Sequence, residues 1–449
     1  YSSLKQIKEP VMERDAFGFL NNWATGPRRK VLLVRGARQV GKTYAVRQLG
    51  KSYEHFLEVN FEKDKPVREF FKGALDPEPI CRKLSAYFSI PVVAGKTLLF
   101  LDEIQACPEA IAALRFFQED FPELHVVAAG SLLEFALEQL PSMGVGRISS
   151  LFMYPMSFCE FLDAVGDSPV RDMALAADSG HPLDAPFHDR LLERLKEYLL
   201  IGGLPEAVQS YVTHRDLREV QAVLDDLIVT ITDDFAKYKD RAPVLRLTEV
   251  FESVPFQAGS KFKYATIGAE SSTPPLKHAL ELLEKASIVH KVYHSNAHGL
   301  PLGAQVDTKK FKVVLFDVGI HQRLLGLDLA SLLVARDFKA VNRGSIAEAF
   351  VGQELIAYSN PNGKAALHYW HREARSSNAE VDYVIQHGES ILPIEVKAGT
   401  KGQMQSIRIF MEERNIDKGV RLSLENFGSL GDIDILPLYA ARLLQPHLS

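Results

Sequence analysis

The sequence predicts an α/β protein of several domains, and three stretches carry that reading. The first, "VLLVRGARQVGKT", is an apolar run followed at once by a glycine-rich loop; the second, "LLFLDEIQ", is an apolar run that stops at two acids. The third, "EVDYVIQHGESILPIEVK", alternates apolar and polar residues on both sides of a His-Gly pair and carries several carboxylates and a lysine. A strand before a helix in the first two stretches argues for a doubly wound parallel sheet, whereas the third calls for an antiparallel hairpin elsewhere. At 449 residues the chain is too long for one hydrophobic core, and roughly two to four domains suit that length.

Composition narrows the function classes. Apolar residues make up 46% and charged residues 24% of the chain, so most of it should fold. No segment approaches the roughly 18 apolar residues that span a bilayer, and "YSSLKQIKEP" lacks the apolar centre of a signal peptide, so no membrane partner is expected. Cys81, Cys107 and Cys159 stand far apart without metal-ligand spacing. That is the pattern of buried thiols in a reducing compartment, and a cytoplasmic location is expected. A net charge of -5 argues against a surface coated for nucleic acid along its whole length, so any DNA contact should be local.

In the first stretch, Val31 to Val34 read as a strand and the residues after Thr43 as a helix. Gly36, Ala37, Arg38, Gln39, Val40, Gly41, Lys42 and Thr43 fit the pattern G-x-x-x-x-G-K-[ST]. The two glycines let the backbone turn its N–H groups inward at phosphate oxygens, and Lys42 reaches the β- and γ-phosphates. Thr43 offers its hydroxyl to Mg²⁺, while the helix directs its positive N-terminal end at the triphosphate. In the second stretch, Leu98 to Leu101 form a buried strand that brings Asp102 and Glu103 to the carboxyl edge of the sheet, where such sheets hold ligands. Asp102 is expected to hold Mg²⁺ through water, and Glu103 to polarise the attacking water. A third strand, in "HVVAAGSLLEF", ends at Gly130 and Ser131, and Ser131 is a candidate sensor of the γ-phosphate. ATP and Mg²⁺ are therefore the expected cofactors.

Between Leu191 and Lys239 apolar residues recur at three and four, so helices are expected there, packed as a lid over the nucleotide. The stretch that begins at Arg241 reads as helix, connection, helix and two β-rich segments, the order of a winged helix. Its second helix, Leu276 to Ala286, sets Lys277, His278 and Lys285 against Glu281 and Glu284. Without a basic face, this module favours protein partners over a DNA groove. Lys309, Lys310 and Lys312 in "KKFKVVLFD" form the better candidate phosphate contact.

Together with Gly146 and Arg147, "YPMSFCEF" and "IGGLPEAV" at Ile201 to Val208, these stretches resemble the archaeal-type AAA+ ATPases of bacteria and archaea that carry a C-terminal nuclease-like domain. The resemblance covers nearly the whole chain. It implies a P-loop AAA+ core over residues 1–155, a helical lid over 156–240, a central winged-helix module over 241–335 and an α/β PD-(D/E)xK nuclease-like domain over 336–449. It also implies that Arg147 is an arginine finger or sensor, acting within its own subunit or across an interface of an oligomer.

The hairpin can be placed from its residues. If His387 and Gly388 form the turn, Asp382 faces Pro393 and lies diagonal to Glu395, which puts both carboxylates on one face about 7 Å or less apart. One Mg²⁺ could bridge them, Lys397 projects from the same face, and Glu380, directly opposite Glu395, competes for the metal. This arrangement resembles that of PD-(D/E)xK nucleases, and "RGSIAE" resembles the opening of archaeal Holliday-junction resolvases. The resemblance implies Glu348 as a helix carboxylate, with Glu354 as its fallback, Asp382 and Glu395 as Mg²⁺ ligands, and Lys397 as the group that positions or activates water. The expected function is an Mg²⁺-dependent ATPase coupled to a nuclease-like domain that acts on or docks to DNA. The alternative is a regulatory, STAND-like ATPase switch whose nuclease-like domain does not cut and serves as a docking module for protein or nucleic acid.

Overall fold

Leu32, Leu33 and Val34 have no exposed surface, as a strand covered on both faces requires. Together with its flanking residues this run forms β1 (Val31–Arg35), whose alternate side chains enter two different cores: Leu32 and Val34 one, Val31 and Leu33 the other. The computed structural model describes residues 12–131, 133–138, 146–268, 272–326, 343–372, 379–399 and 404–444. The N-terminal stretch 1–11 and the expected boundary at 335/336 lie outside them.

After α1 (Asp15–Thr25) and β1 come α2 (Lys42–Gly50), β2 (His55–Asn60), α3 (Pro77–Phe88), β3 (Thr97–Asp102), α4 (Pro108–Asp120), β4 (His125–Ala129), α5 (Leu133–Leu137) and β5 (Ile148–Phe152). The five strands pair in parallel in the order β2-β3-β4-β1-β5, so every strand ends at the same edge. Helices follow: α6 (Phe158–Val165), α7 (Ser168–Ala176), α8 (Ala185–Ile201), α9 (Pro205–His214) and α10 (Leu217–Asp234). Their apolar stripe buries Leu191, Leu195, Leu224 and Leu227, as the three-and-four spacing predicts. No helix among the described residues is long and apolar enough to cross a membrane.

Next come α11 (Val244–Gln257), α12 (Thr273–Lys285) and the antiparallel pair β6 (Val289–Ser295) and β7 (Val306–Leu315). Helix, helix and hairpin thus follow in the expected order, but the hairpin does not stand alone. After α13 (Val318–Leu324) and α14 (Arg343–Ala357), the chain adds β8 (Leu367–His371), β9 (Glu380–His387), β10 (Ser390–Val396), α15 (Gln405–Arg414), β11 (Gly419–Ser423), β12 (Gly428–Leu430) and β13 (Ile433–Pro437). These strands join β6 and β7 in one eight-stranded sheet, ordered β12-β13-β11-β10-β9-β8-β6-β7. The parallel pairing of Val292 with Leu367 carries backbone hydrogen bonds across the expected domain boundary.

Helix α14 ties this sheet to the helices that follow the first one. Phe350 packs edge-on against Phe158 and Tyr198, and Gln353 accepts from the Val318 N–H while donating to the Tyr198 hydroxyl. One continuous apolar core therefore runs from Leu32 to Leu444. Glu354, the fallback carboxylate of the hairpin site, points away from that site. Its oxygens accept from the Phe158 N–H at 3.0 and 3.2 Å, at the start of α6, so this expectation is corrected.

Burial pushes the Glu354 carboxyl up to about 8, against the pull of that N–H and of Tyr358. Between the ordinary 4.5 and about 8 the folded chain holds a proton that the unfolded chain has lost. Stability should therefore fall by about 1.4 kcal/mol per pH unit through this window on account of this one group, and the contribution should level off above it. Glu354→Gln is neutral at every pH, so its thermal midpoint, followed from pH 5 to 8, should decline less steeply than that of the wild type. Equal slopes would place the titrating proton elsewhere.

Candidate functional site

Gly36 leaves β1 with φ of 137°, and a Cβ there would stand 2.1 Å from the carbonyl oxygen of Met153, so only glycine fits. Gly41, with φ of 91°, caps α2 from the left-handed region. Between them the loop turns over the carboxyl edge of the sheet. Lys42 is buried, and its Nζ donates to the carbonyls of Gly36 at 3.0 Å and Ala37 at 2.6 Å. Burial lowers this ammonium to about 8. Glu103 and Asp102 offset that burial only in part, so the buried ammonium is suited to an anion held by the loop.

Asp102 closes β3 at that edge and is 4% exposed. Its Oδ2 accepts from Thr43 Oγ1 at 3.2 Å and from Asn60 Nδ2 at 3.3 Å. Burial, then the neighbouring Glu103, raises its pKa, which is the state of a carboxylate that a cation would relieve. The Thr43 and Asp102 oxygens thus converge as hard donors and fit Mg²⁺, which would offset phosphate charge when bound. Glu103 follows at φ of 49°, with Gln105 Nε2 donating to its Oε2 at 2.6 Å. A Cβ on Gly130 would meet the Gln105 amide oxygen at 2.1 Å, so the end of β4 makes room for the group that holds Glu103.

Ser131 is buried past β4, and its hydroxyl accepts from Arg38 Nε at 3.1 Å. Arg38 also meets Asp234 at 2.8 Å, at the C-terminal end of α10. One loop arginine therefore joins the expected sensor to the helices that cover the loop. Arg147 lies elsewhere. It directly precedes β5, where Ile148 pairs with Val31, and its Nε meets Glu119 at 2.9 Å. The loop leaves β1 at the other end, about 16 Å away along five residues of strand. Within one chain the expected contact between Arg147 and the γ-phosphate is therefore corrected, because parallel pairing puts the two at opposite edges.

Two residues beyond the sequence reading support the loop. Arg14 is buried and donates to the carbonyls of Val40 and Tyr154, both at 2.8 Å, and to Glu160 at 2.9 Å. Asn60 ends β2 at the ligand edge, and its place as the last polar residue of an alternating strand was its available sequence signal. Behind the loop, a Cβ on Gly41 would stand 3.5 Å from Pro205, which opens α9. The turn before Pro205 is held by Asp317, fully buried, whose carboxylate accepts from the N–H groups of Gly203 at 2.7 Å and Ile320 at 3.0 Å.

The hairpin differs from its expected register. His387 pairs with Ser390 and Tyr383 with Ile394, so Gly388 and Glu389 form the turn. One step further along the same register, Asp382 stands directly opposite Glu395, where a diagonal was expected. The shift is by two residues, so both carboxylates keep their shared face. Glu348, on α14, faces them. Lys397 pairs with Glu395, and the Val396 N–H donates to Asp382 at 2.8 Å.

Lys312 enters the same cluster. It was expected as a phosphate contact, but its side chain is 1% exposed, and its Nζ lies 2.7 Å from Glu348, 2.5 Å from Glu380 and 3.8 Å from Asp382. Burial would lower this ammonium, but Glu348, Asp382 and Glu380 outweigh it and raise its pKa. Burial pushes Glu348 and Glu395 up to about 7. As placed, Glu348, Asp382 and Glu395 do not fit the Mg²⁺ expected of them, because the Lys312 ammonium stands among them and Lys397 pairs with Glu395. Among the described residues no group of three or more His, Cys, Asp or Glu side chains is arranged to hold a metal ion.

Residues 28–162 match the family described as AAA domain, while residues 192–331 and 343–440 match two domains of unknown function, DUF8612 and DUF4143. An uncharacterized protein of Haemophilus influenzae is 23% identical over 381 residues, covering 82% of each chain. One of Mycobacterium tuberculosis is 25% identical over 370 residues, covering 80% of this chain and 68% of its own. Among solved structures, the Walker-type ATPase PABY2304 of Pyrococcus abyssi aligns at a TM-score of 0.45 and 16% identity, over 71% of this chain and 97% of its own. The Aeropyrum pernix ORC1 protein in complex with DNA aligns at 0.28 and 14% identity, over 74% and 97%. The AAA match coincides with the glycine loop, the parallel sheet and the acidic pair at its edge, so it is residues 28–162 that are similar to an AAA domain.

Proposed function

We propose that this chain is an Mg²⁺-dependent ATP hydrolase that works as a switch, with its C-terminal α/β unit serving as a docking module. The observation that carries the reading is the convergence of Lys42, Thr43, Asp102 and Glu103 at one edge of the first sheet. Lys42 and the loop N–H groups hold the triphosphate, and Thr43 and Asp102 are the residues that would hold Mg²⁺. Glu103, oriented by Gln105, takes the proton of the attacking water, and Arg38 stands on the same side as a cation for developing charge.

A cutting role has less support, since the carboxylates of the hairpin are paired with Lys312 and Lys397. Groove-bound DNA also has little to hold on α12, where Lys285 pairs with Glu138 and His278 lies beside Glu281. Protein docking is therefore the favoured use.

The test is phosphate release from ATP. It should be present with Mg²⁺ and absent with EDTA, and no release under either condition would overturn the reading. Arg147, excluded from its own site, is proposed to serve the site of a second copy. The rate per molecule should then rise with protein concentration and lose that rise in Arg147→Ala, whereas a rate independent of concentration would confine the chemistry to one chain.

A further inference from the structure

The cluster under α14 holds four carboxylates from three elements: Glu348 on the helix, Glu380 and Asp382 on β9, and Glu395 on β10. So many acids converging under a helix would repel one another unless a cation stood among them. The chain provides one from a distance. Lys312 lies on β7, and β6 and β8 intervene between that strand and β9 in the sheet. Its side chain crosses the face of the sheet beside the Tyr369 ring, 5.2 Å from the ring centroid, to reach three of the four acids. Glu395 completes the set: its side chain is 6% exposed, and its Oε2 is buried with no hydrogen-bond partner.

We propose that the Lys312 ammonium stands where a divalent cation would otherwise bind, so that the cluster takes up such an ion only when this lysine is removed. The physical case rests on competition. A hard divalent ion seeks carboxylate oxygens, as an ammonium does, and the two cannot share the centre. The tethered ammonium meets its desolvation cost once, on folding, and carries no translational entropy cost on binding, whereas a free ion must bear both to reach Glu348 and Asp382. The same contact joins β7 to α14 and β9, so the lysine also fastens the central hairpin to the C-terminal unit. This inference goes beyond the ATPase reading and does not depend on it.

Lys312→Met keeps the length of the side chain and removes its charge. Without nucleotide, Mn²⁺ binding is measured by calorimetry on the full chain for the wild type, for Asp382→Asn, for Lys312→Met and for Lys312→Met combined with Asp382→Asn. The wild type should show no Mn²⁺ binding that depends on Asp382. Lys312→Met should gain one ion per chain, at least tenfold tighter than any wild-type binding, and should melt at a higher temperature with Mn²⁺ than with EDTA. The double variant should lose both gains.

A folded Lys312→Met that gains no ion overturns the proposal. So does a wild type that binds Mn²⁺ in a way Asp382→Asn abolishes. If Lys312→Met yields no soluble protein, this wild-type comparison decides: Asp382-dependent binding overturns the proposal, and its absence up to millimolar Mn²⁺ supports it.

Discussion

Glu103→Gln should bind ATP about as well as the wild type and hydrolyse it at least roughly a hundredfold more slowly, the scale of a lost general base. The substitution keeps the volume and keeps an oxygen that can accept from Gln105, so the loop and Asp102 should stay in place. Only the proton acceptor is removed. Lys42→Ala should fail earlier in the cycle. Lys42 is the buried cation of the loop, and it is the side chain that donates to the Gly36 and Ala37 carbonyls. Nucleotide binding, followed by a fluorescent ATP analogue, should therefore vanish in Lys42→Ala and persist in Glu103→Gln. Hydrolysis by Glu103→Gln at the native rate would remove Glu103 from the chemistry. Retained binding by Lys42→Ala would break the assignment of the loop itself.

The candidate nucleotide site was legible in the sequence because its parts are short and local. Gly36 to Thr43 must follow one another to wrap a phosphate, and Asp102 and Glu103 must end a buried run to reach the edge of the sheet. Arg147 shows the limit of that logic: its residue type suited a finger, but only the parallel pairing of β5 with β1 reveals which edge it occupies. Arg14 and Lys312 were harder still. Arg14 finds its partners at Val40, Tyr154 and Glu160, and Lys312 finds its partners on α14 and β9, distances along the chain at which no local pattern operates. In the hairpin, alternation identified the shared face of Asp382 and Glu395. It could not choose between a turn at His387 and one at Gly388, because a shift of two residues leaves every face unchanged.

Asp317→Ala should produce the largest loss outside the nucleotide site, felt both in stability and in ATP affinity. The carboxylate is fully buried where three segments meet: it follows β7, it caps α13 through Ile320, and it holds the Gly203 N–H of the turn that leads to Pro205. Burial raises its pKa to about 6, against the pull of N–H groups from Ile320, Gly203, Gly319 and Leu204. Near pH 7.5 it is therefore ionised, and each N–H makes a charge-assisted bond that water cannot replace in the buried turn. Removing the carboxylate leaves those donors unpaired, at a cost of about 3 kcal/mol or more. Nor does the surrounding backbone have slack, since a Cβ on Gly202 would stand 2.3 Å from this carboxylate and one on Gly319 would stand 2.4 Å from the Ile201 carbonyl. The turn should loosen, and Pro205, packed behind Gly41, should loosen with it. Thermal melting should shift down, and KM for ATP should rise more than kcat falls, because Glu103 and Gln105 lie on a different strand end. Asp317→Asn, which keeps one acceptor oxygen, should fall between the two and provides a folded variant if alanine does not. If Asp317→Asn matches the wild type in both melting temperature and KM, the carboxylate is not the link between the turn and the phosphate loop.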